Sequence, residues 1–109
     1  MTDTVKVLGE SAPGATSLTD LYTVPAATST TVSTITVCNR GATATTFRVS
    51  VAPAGAGDAA SQYVYYDVPI NENDTFATTV GLTLATTDKI RVYAGNANLT
   101  FAVFGVETT

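Results

Sequence analysis

Apolar and polar residues alternate with period two through most of this chain, in short runs separated by Gly, Pro, Asn and Asp. Side chains on a strand point to opposite faces in turn, so this period describes strands that are buried on one face. It predicts strands over residues 5–10, 20–24, 31–39, 45–51, 62–68, 75–80, 89–94 and 99–106, with 81–84 extending the sixth or bending away from it. The turn Asn39-Arg40-Gly41, whose glycine can take a positive φ, predicts a hairpin between the third and fourth of these. Rows at spacing two assign Ile35, Val37, Phe47, Val49, Val51, Ile90, Val92, Phe101 and Val103 to the core. On the third strand Ser33 shares a face with Ile35 and Val37, and Val32, Thr34, Thr36 and Cys38 take the other.

Composition supports strands over helices. With 22 threonines, 13 valines and three isoleucines, 38 of the 109 residues are β-branched, which suits a pleated surface. No window repeats apolar residues at i, i+3, i+4 and i+7, so helix is limited to a turn near residues 15–18. The small-residue stretch 52–60 is the longest predicted loop. A chain of this length supports one core. The expectation is an all-β fold, a single antiparallel β-sandwich of seven to nine strands spanning residues 1–109. Residues 1–18 are alternatively an extended arm.

The residue inventory narrows function. There is no histidine, which removes Ser-His-Asp and Cys-His chemistry and histidine metal ligation. Cys38 is the single cysteine, so no intrachain disulfide forms; it reads as a small buried hydrophobe. The net charge is −4, and Lys6, Arg40, Arg48, Lys89 and Arg91 are scattered, which argues against phosphate-driven nucleic-acid binding. Residues 1–6 begin with an acid and lack the basic and apolar regions of a signal peptide. No apolar run approaches the roughly 20 residues that span a bilayer. Synthesis in a cytosol without membrane insertion is expected.

Candidate sites are few. Asn71-Glu72-Asn73-Asp74 offers oxygen ligands for Ca²⁺ but lacks the glycine and downstream glutamate of an EF-hand loop, and a solvated turn explains all four residues. Asn73-Asp74-Thr75 and Asn98-Leu99-Thr100 match the glycosylation pattern by chance in so threonine-rich a chain. Asp58, Asp67, Asp74 and Asp88 lie in turns or strand ends with no carboxylate pairing to support a glycosidase. No catalytic, cofactor or metal site is expected. Tyr63, Tyr65 and Tyr66 cluster, and Lys89, Arg91 and Tyr93 share a strand face. Together they suggest either a basic and aromatic platform for sugar or single-stranded nucleic acid, or tyrosines that pack one ring face on the core or a subunit boundary with the hydroxyl in water. The second is the preferred reading, with Tyr63, Tyr65 and Tyr66 as the candidate interface.

The order of segments carries a resemblance. Leu21-Tyr22-Thr23-Val24-Pro25-Ala26, then Val-Cys-Asn-Arg-Gly at 37–41, Thr46-Phe47-Arg48-Val49-Ser50-Val51-Ala52, Tyr65-Tyr66-Asp67 and Asp88-Lys89-Ile90-Arg91-Val92-Tyr93-Ala94 resemble small virion structural proteins of tailed bacteriophages. The resemblance spans residues 21–105. It implies an Ig-like or jelly-roll-like β-sandwich without catalytic residues, made in the bacterial host cytoplasm. Such a protein sits on the virion as a capsid decoration or cement protein, bound to the major capsid protein or other virion structural proteins. Analogy with such proteins also implies a homotrimer, with Tyr63, Tyr65 and Tyr66 as contributors to its interface. A neck or tail position, or a carbohydrate-binding adhesive module, is the alternative.

Overall fold

A computed structural model describes residues 2–109 and contains eight strands in two antiparallel four-stranded sheets. The strands are β1 (Asp3–Ser11), β2 (Thr19–Thr23), β3 (Ser29–Asn39), β4 (Thr45–Ala52), β5 (Tyr63–Ile70), β6 (Thr75–Leu84), β7 (Lys89–Ala94) and β8 (Leu99–Thr108). The first sheet runs β1-β8-β3-β6 and the second β2-β7-β4-β5. Both contribute alternate side chains to one core, the arrangement of a β-sandwich. Ile35, Val37, Phe47, Val49, Ile90, Val92, Phe101 and Val103 are fully buried in it, as their spacing predicts, while Val51 is only half-buried. Residues 3–11 lie along β8 as a member of the first sheet.

The predicted hairpin at Asn39-Arg40-Gly41 is incorrect. β3 belongs to the first sheet and β4 to the second, so the chain crosses the sandwich here. Sheets pack about 10 Å apart, a gap that residues 40–44 span. Asn39, almost fully buried, fixes the corner: its Nδ2 donates to the carbonyls of Thr43 (2.9 Å) and Asn71 (3.1 Å), and its Oδ1 accepts from the Gly41 N–H (3.0 Å). Gly41 does not adopt a positive φ. Its small size matters instead, because a Cβ there would come within 2.5 Å of Asn98 Nδ2. Only β4 and β5 are neighbours in both sequence and sheet.

Three further expectations change. A register shift between Val32 and Thr34 turns Val32 inward beside Ile35 and Val37 and leaves Ser33 exposed, its hydroxyl on the Phe104 carbonyl at 3.2 Å. Cys38 is half-buried on the outward row of β3, opposite Thr100 and Thr75, so it is not a core residue. Residues 15–18 form no helical turn; Ala15 makes a parallel bridge to Ala94.

Polar contacts join the sheets at the end of β3 opposite Asn39. The Tyr22 hydroxyl of β2 donates to Glu107 Oε2 of β8 (2.6 Å) and stands 2.8 Å from the Thr30 hydroxyl of β3. The bond from Tyr22 holds the Glu107 carboxyl below its ordinary value against the opposing effect of burial, with help from Lys6. Burial and the adjacent carboxylate push Tyr22 up to about 12.

Two outcomes are expected. Phe47→Ala should cost about 3 to 5 kcal/mol in urea unfolding; a loss under about 1 kcal/mol would place Phe47 outside the core. The melting temperature should also fall at both pH extremes. Glu107 stabilises the fold above its unfolded value of 4.5 and loses that contribution as acid protonates it. Tyr22 stabilises below its unfolded value of 10.0 and loses its contribution as pH rises through about 12. Tyr22→Phe should flatten both limbs in a series of melts against pH.

Candidate functional site

The outward side of the second sheet carries three of the five tyrosines, Tyr63, Tyr66 and Tyr93, and three of the five basic residues, Arg48, Lys89 and Arg91. On β4, Arg48 and Ser50 alternate with the buried Phe47 and Val49, and the ladder sets Arg48 beside Tyr93 and Ser50 beside Arg91 on β7. On β5 the register breaks: two residues, Tyr66 and Asp67, stand between the partners of Val49 and Phe47, where β4 has Arg48 alone. Asp67 takes φ 51° at this bulge. An extra residue in one strand redirects the side chains that follow it. A second shift leaves Val64 extra between the partners of Val49 and Ser50 and separates Tyr63 from the face of Tyr65, so the predicted tyrosine cluster is divided. Tyr65 packs on the core with its ring 5.4 Å from Phe76 and 6.4 Å from Phe47, whereas Tyr63 and Tyr66 meet edge to face at 5.0 Å on the outside.

Arg48 is the centre of the outer group. Its guanidinium carbon lies 4.2 Å from the centroid of Tyr66 and 4.3 Å from that of Tyr93. Its Nε bonds Asp67 Oδ1 at 2.6 Å. Ring quadrupoles and carboxylate thus hold one cation from several sides. Asp58 and Ala60 complete an open hollow beside Arg48, Tyr63 and Tyr66. Tyr66 is 58% exposed, so this face presents a broad aromatic surface fixed in orientation. The sequence pattern groups Tyr93 with the tyrosines, together with Lys89 and Arg91, but does not assign Arg48 to them. The outward alternation of Arg48 and Tyr93 is readable, but their adjacency depends on which strands pair.

The other two cations of the face are structural pins. Lys89 Nζ and Arg91 Nε each bond Asp20, at 2.9 and 3.0 Å, and Lys89 is the main reason that the Asp20 carboxyl titrates below its ordinary value. Arg91 also donates to the carbonyls of Ala56 (2.6 Å) and Gly55 (3.2 Å). Asp88 accepts from the N–H groups of Ala54 and Ala85, both at 2.8 Å. The stretch predicted as a plain loop contains two short 3₁₀ turns, Pro53–Gly55 and Ala60–Gln62, and is held over the sheet by these bonds. Beneath it Ser50 Oγ is buried without a hydrogen-bond partner, as is Gln62 Oε1.

Residues 71–74 form a turn. Asp74 Oδ1 caps the Thr75 N–H at 2.8 Å, Asn73 takes φ 52° and bonds the Gly41 carbonyl, and the Asn71 carbonyl receives Asn39. Among the described residues no group of three or more Cys, Asp or Glu side chains comes together as metal ligands. Asp67 and Asp88 are occupied by Arg48 and by backbone amides, respectively.

Because the two faces divide the tyrosines, alanine at each should behave differently. Tyr65→Ala should destabilise by about 2 kcal/mol or more, through lost packing on Phe47 and Phe76. Tyr66→Ala should cost about 1 kcal/mol or less, the worth of its exposed contact with Arg48. Equal losses in denaturant titration would contradict this division. No protein-family model, curated protein or solved structure matches the chain.

Proposed function

We propose that the chain is a non-enzymatic structural protein of a bacteriophage virion, a capsid decoration protein that binds the head shell and stabilises it. The observation that carries this reading is the outer face of the first sheet. Across it the ladder aligns Val5, Val106, Thr31 and Thr83 in one row and Val7, Phe104, Thr34 and Thr79 in the next. Val5 is 81% exposed and Val7 48%. These two rows of valine, threonine and phenylalanine contain no charge, and Asp3 and Glu10 flank them on β1; an exposed uncharged band of this kind suits a surface that docks. Four of the five Lys and Arg side chains are held in ion pairs, three of them on the second sheet.

We further infer that the sandwich is a jelly roll. The orders β1-β8-β3-β6 and β2-β7-β4-β5 correspond to an eight-stranded jelly roll, in which two Greek keys nest so that the first and last strands lie side by side. That architecture is common in viral capsid and lectin domains; fold alone does not assign function. A second reading, a carbohydrate-binding adhesive module on the neck or tail, draws on Tyr66, Tyr63 and Arg48, whose exposed rings offer a stacking surface.

Quantitative mass spectrometry of purified particles tests the choice. A decoration protein should be present in hundreds of copies, and heads lacking it should withstand heating and low salt less well than complete heads. A dozen copies or fewer, or heads equally robust without it, would favour the neck or tail. Saturable binding on a glycan array that is lost in Tyr66→Ala would support the adhesive module. Rebinding to stripped heads through the uncharged central rows should change little with ionic strength, since screening acts on charges.

A further inference from the structure

Each sheet has two edge strands, and an edge exposes unpaired N–H and C=O groups that can template another chain. Three of the four edges here are blunted. β1 carries Asp3, Lys6 and Glu10 and a register shift between Val7 and Gly9. β2 is five residues long, carries Asp20 and is also irregular. β5 has the bulge at Tyr66 and Asp67 and includes Pro69, which has no N–H. β6 differs from all of these. It is ten residues long, without a charge or a proline, and its one irregularity lies near Val80 and Gly81. Among the described residues, the backbone of Phe76 to Leu84 makes no hydrogen bond outside its ladder with β3.

The wall beside this edge is apolar. Val51, Leu82, Leu84, Tyr63 and Val64 line an open groove of about 550 Å³ between β5 and β6, with Gln62 at its side. Phe76, Val80 and Leu82 pack on the core yet stay half-exposed, because no strand follows β6.

We propose that β6 pairs with β6 of a second copy, antiparallel about a twofold axis at Thr79, and so joins two first sheets into one eight-stranded sheet. Opposed residues must share a face. With the axis at Thr79, Phe76 meets Leu82 and Thr78 meets Val80 on the core side, and Ala77 meets Gly81 and Thr75 meets Thr83 on the outer side. The partner is a second copy because β6 matches itself: every residue brought opposite is uncharged. Pairing with β1, β2 or β5 would instead set Asp, Lys or proline against that row. A ten-residue edge is about 34 Å long, and a sandwich wall about 20 Å deep makes roughly 700 Å², close to the ~800 Å² per partner of a standard interface. A twofold contact closes on itself, whereas a heterologous contact between different edges closes only for particular rotations. The pairing stands on the strand edge alone, whether or not the virion reading holds, and replaces the threefold symmetry implied by the resemblance.

Light scattering with size exclusion on the full chain, at tens of micromolar, should give twice the 11.2 kDa of one chain. Thr79 is exposed, so Thr79→Lys and Thr79→Glu should fold normally by circular dichroism. Each should weaken dimerisation at least tenfold, because like charges meet across the axis. Mixed one to one, they should regain the dimer at low salt. Val5→Lys, on the opposite edge strand, should leave the mass unchanged. Thr79→Cys in a Cys38→Ser background should form a disulfide-linked dimer on mild oxidation, since directly opposed Cβ atoms lie within bridging range. A monomeric or trimeric parent, a Thr79→Lys variant that stays dimeric, or failure of Thr79→Cys to crosslink would overturn the proposal.

Discussion

The sandwich is held at its middle by Phe47. This residue of the second sheet reaches Phe76 and Phe101 of the first, with ring centroids at 5.2 and 6.2 Å, and Tyr65 of its own sheet at 6.4 Å. No disulfide crosses between the sheets, as Cys38 is free, so their cohesion rests on buried side chains. Tilted and edge-on rings supply both area and directional contact. Polar links then fix the two ends: Tyr22 with Thr30 and Glu107 at one, and Asn39 with Thr43 and Asn71 at the other. Apolar burial supplies cohesion, and the buried hydrogen bonds fix how one sheet lies over the other.

The two outer faces have different work to do. On the second sheet, Asp20, Lys89, Arg91 and Asp88 hold residues 53–62 against the strands, and Arg48 is enclosed by Tyr66, Tyr93 and Asp67. The first sheet has no such cover, and its broad valine and threonine rows face outward. Charge is scarce in this chain, at 13% of residues, against about 25% in an average domain. Concentrating it on one face leaves the central rows of the other uncharged, with Asp3 and Glu10 at their margin. That asymmetry gives the molecule two chemically distinct sides.

Alternation made the strands legible, and eight of the nine core positions followed from Phe47, Ile35, Phe101 and their neighbours at spacing two. Strand pairing was harder to read. Asn39-Arg40-Gly41 has the composition of a hairpin turn, but the same residue types build a corner between sheets, and only the Asn39 side-chain bonds distinguish the two. Bulges caused the errors of face at Ser33 and in the tyrosine run. A strict period of two sends Ser33 inward and keeps Tyr63, Tyr65 and any outward neighbour on fixed faces, whereas an added residue changes the phase locally. The site suffered most, because Arg48, Tyr66 and Tyr93 come from three strands whose order local sequence does not encode.

One feature of the topology governs how the chain reaches this state. β8 lies between β1 and β3, so both strands wait for residues 99–108 before gaining their partner on that side. β2 likewise depends on β7, nearly seventy residues further along. Such pairings carry a high loop-closure cost before they return any stabilising contact, and chains rich in them fold slowly, on the order of milliseconds to seconds. During that interval β6 and its neutral neighbours are exposed in a state without its final partners. Cellular yield then reflects a race between intramolecular closure and promiscuous strand pairing, and that race is sensitive to chain concentration and temperature.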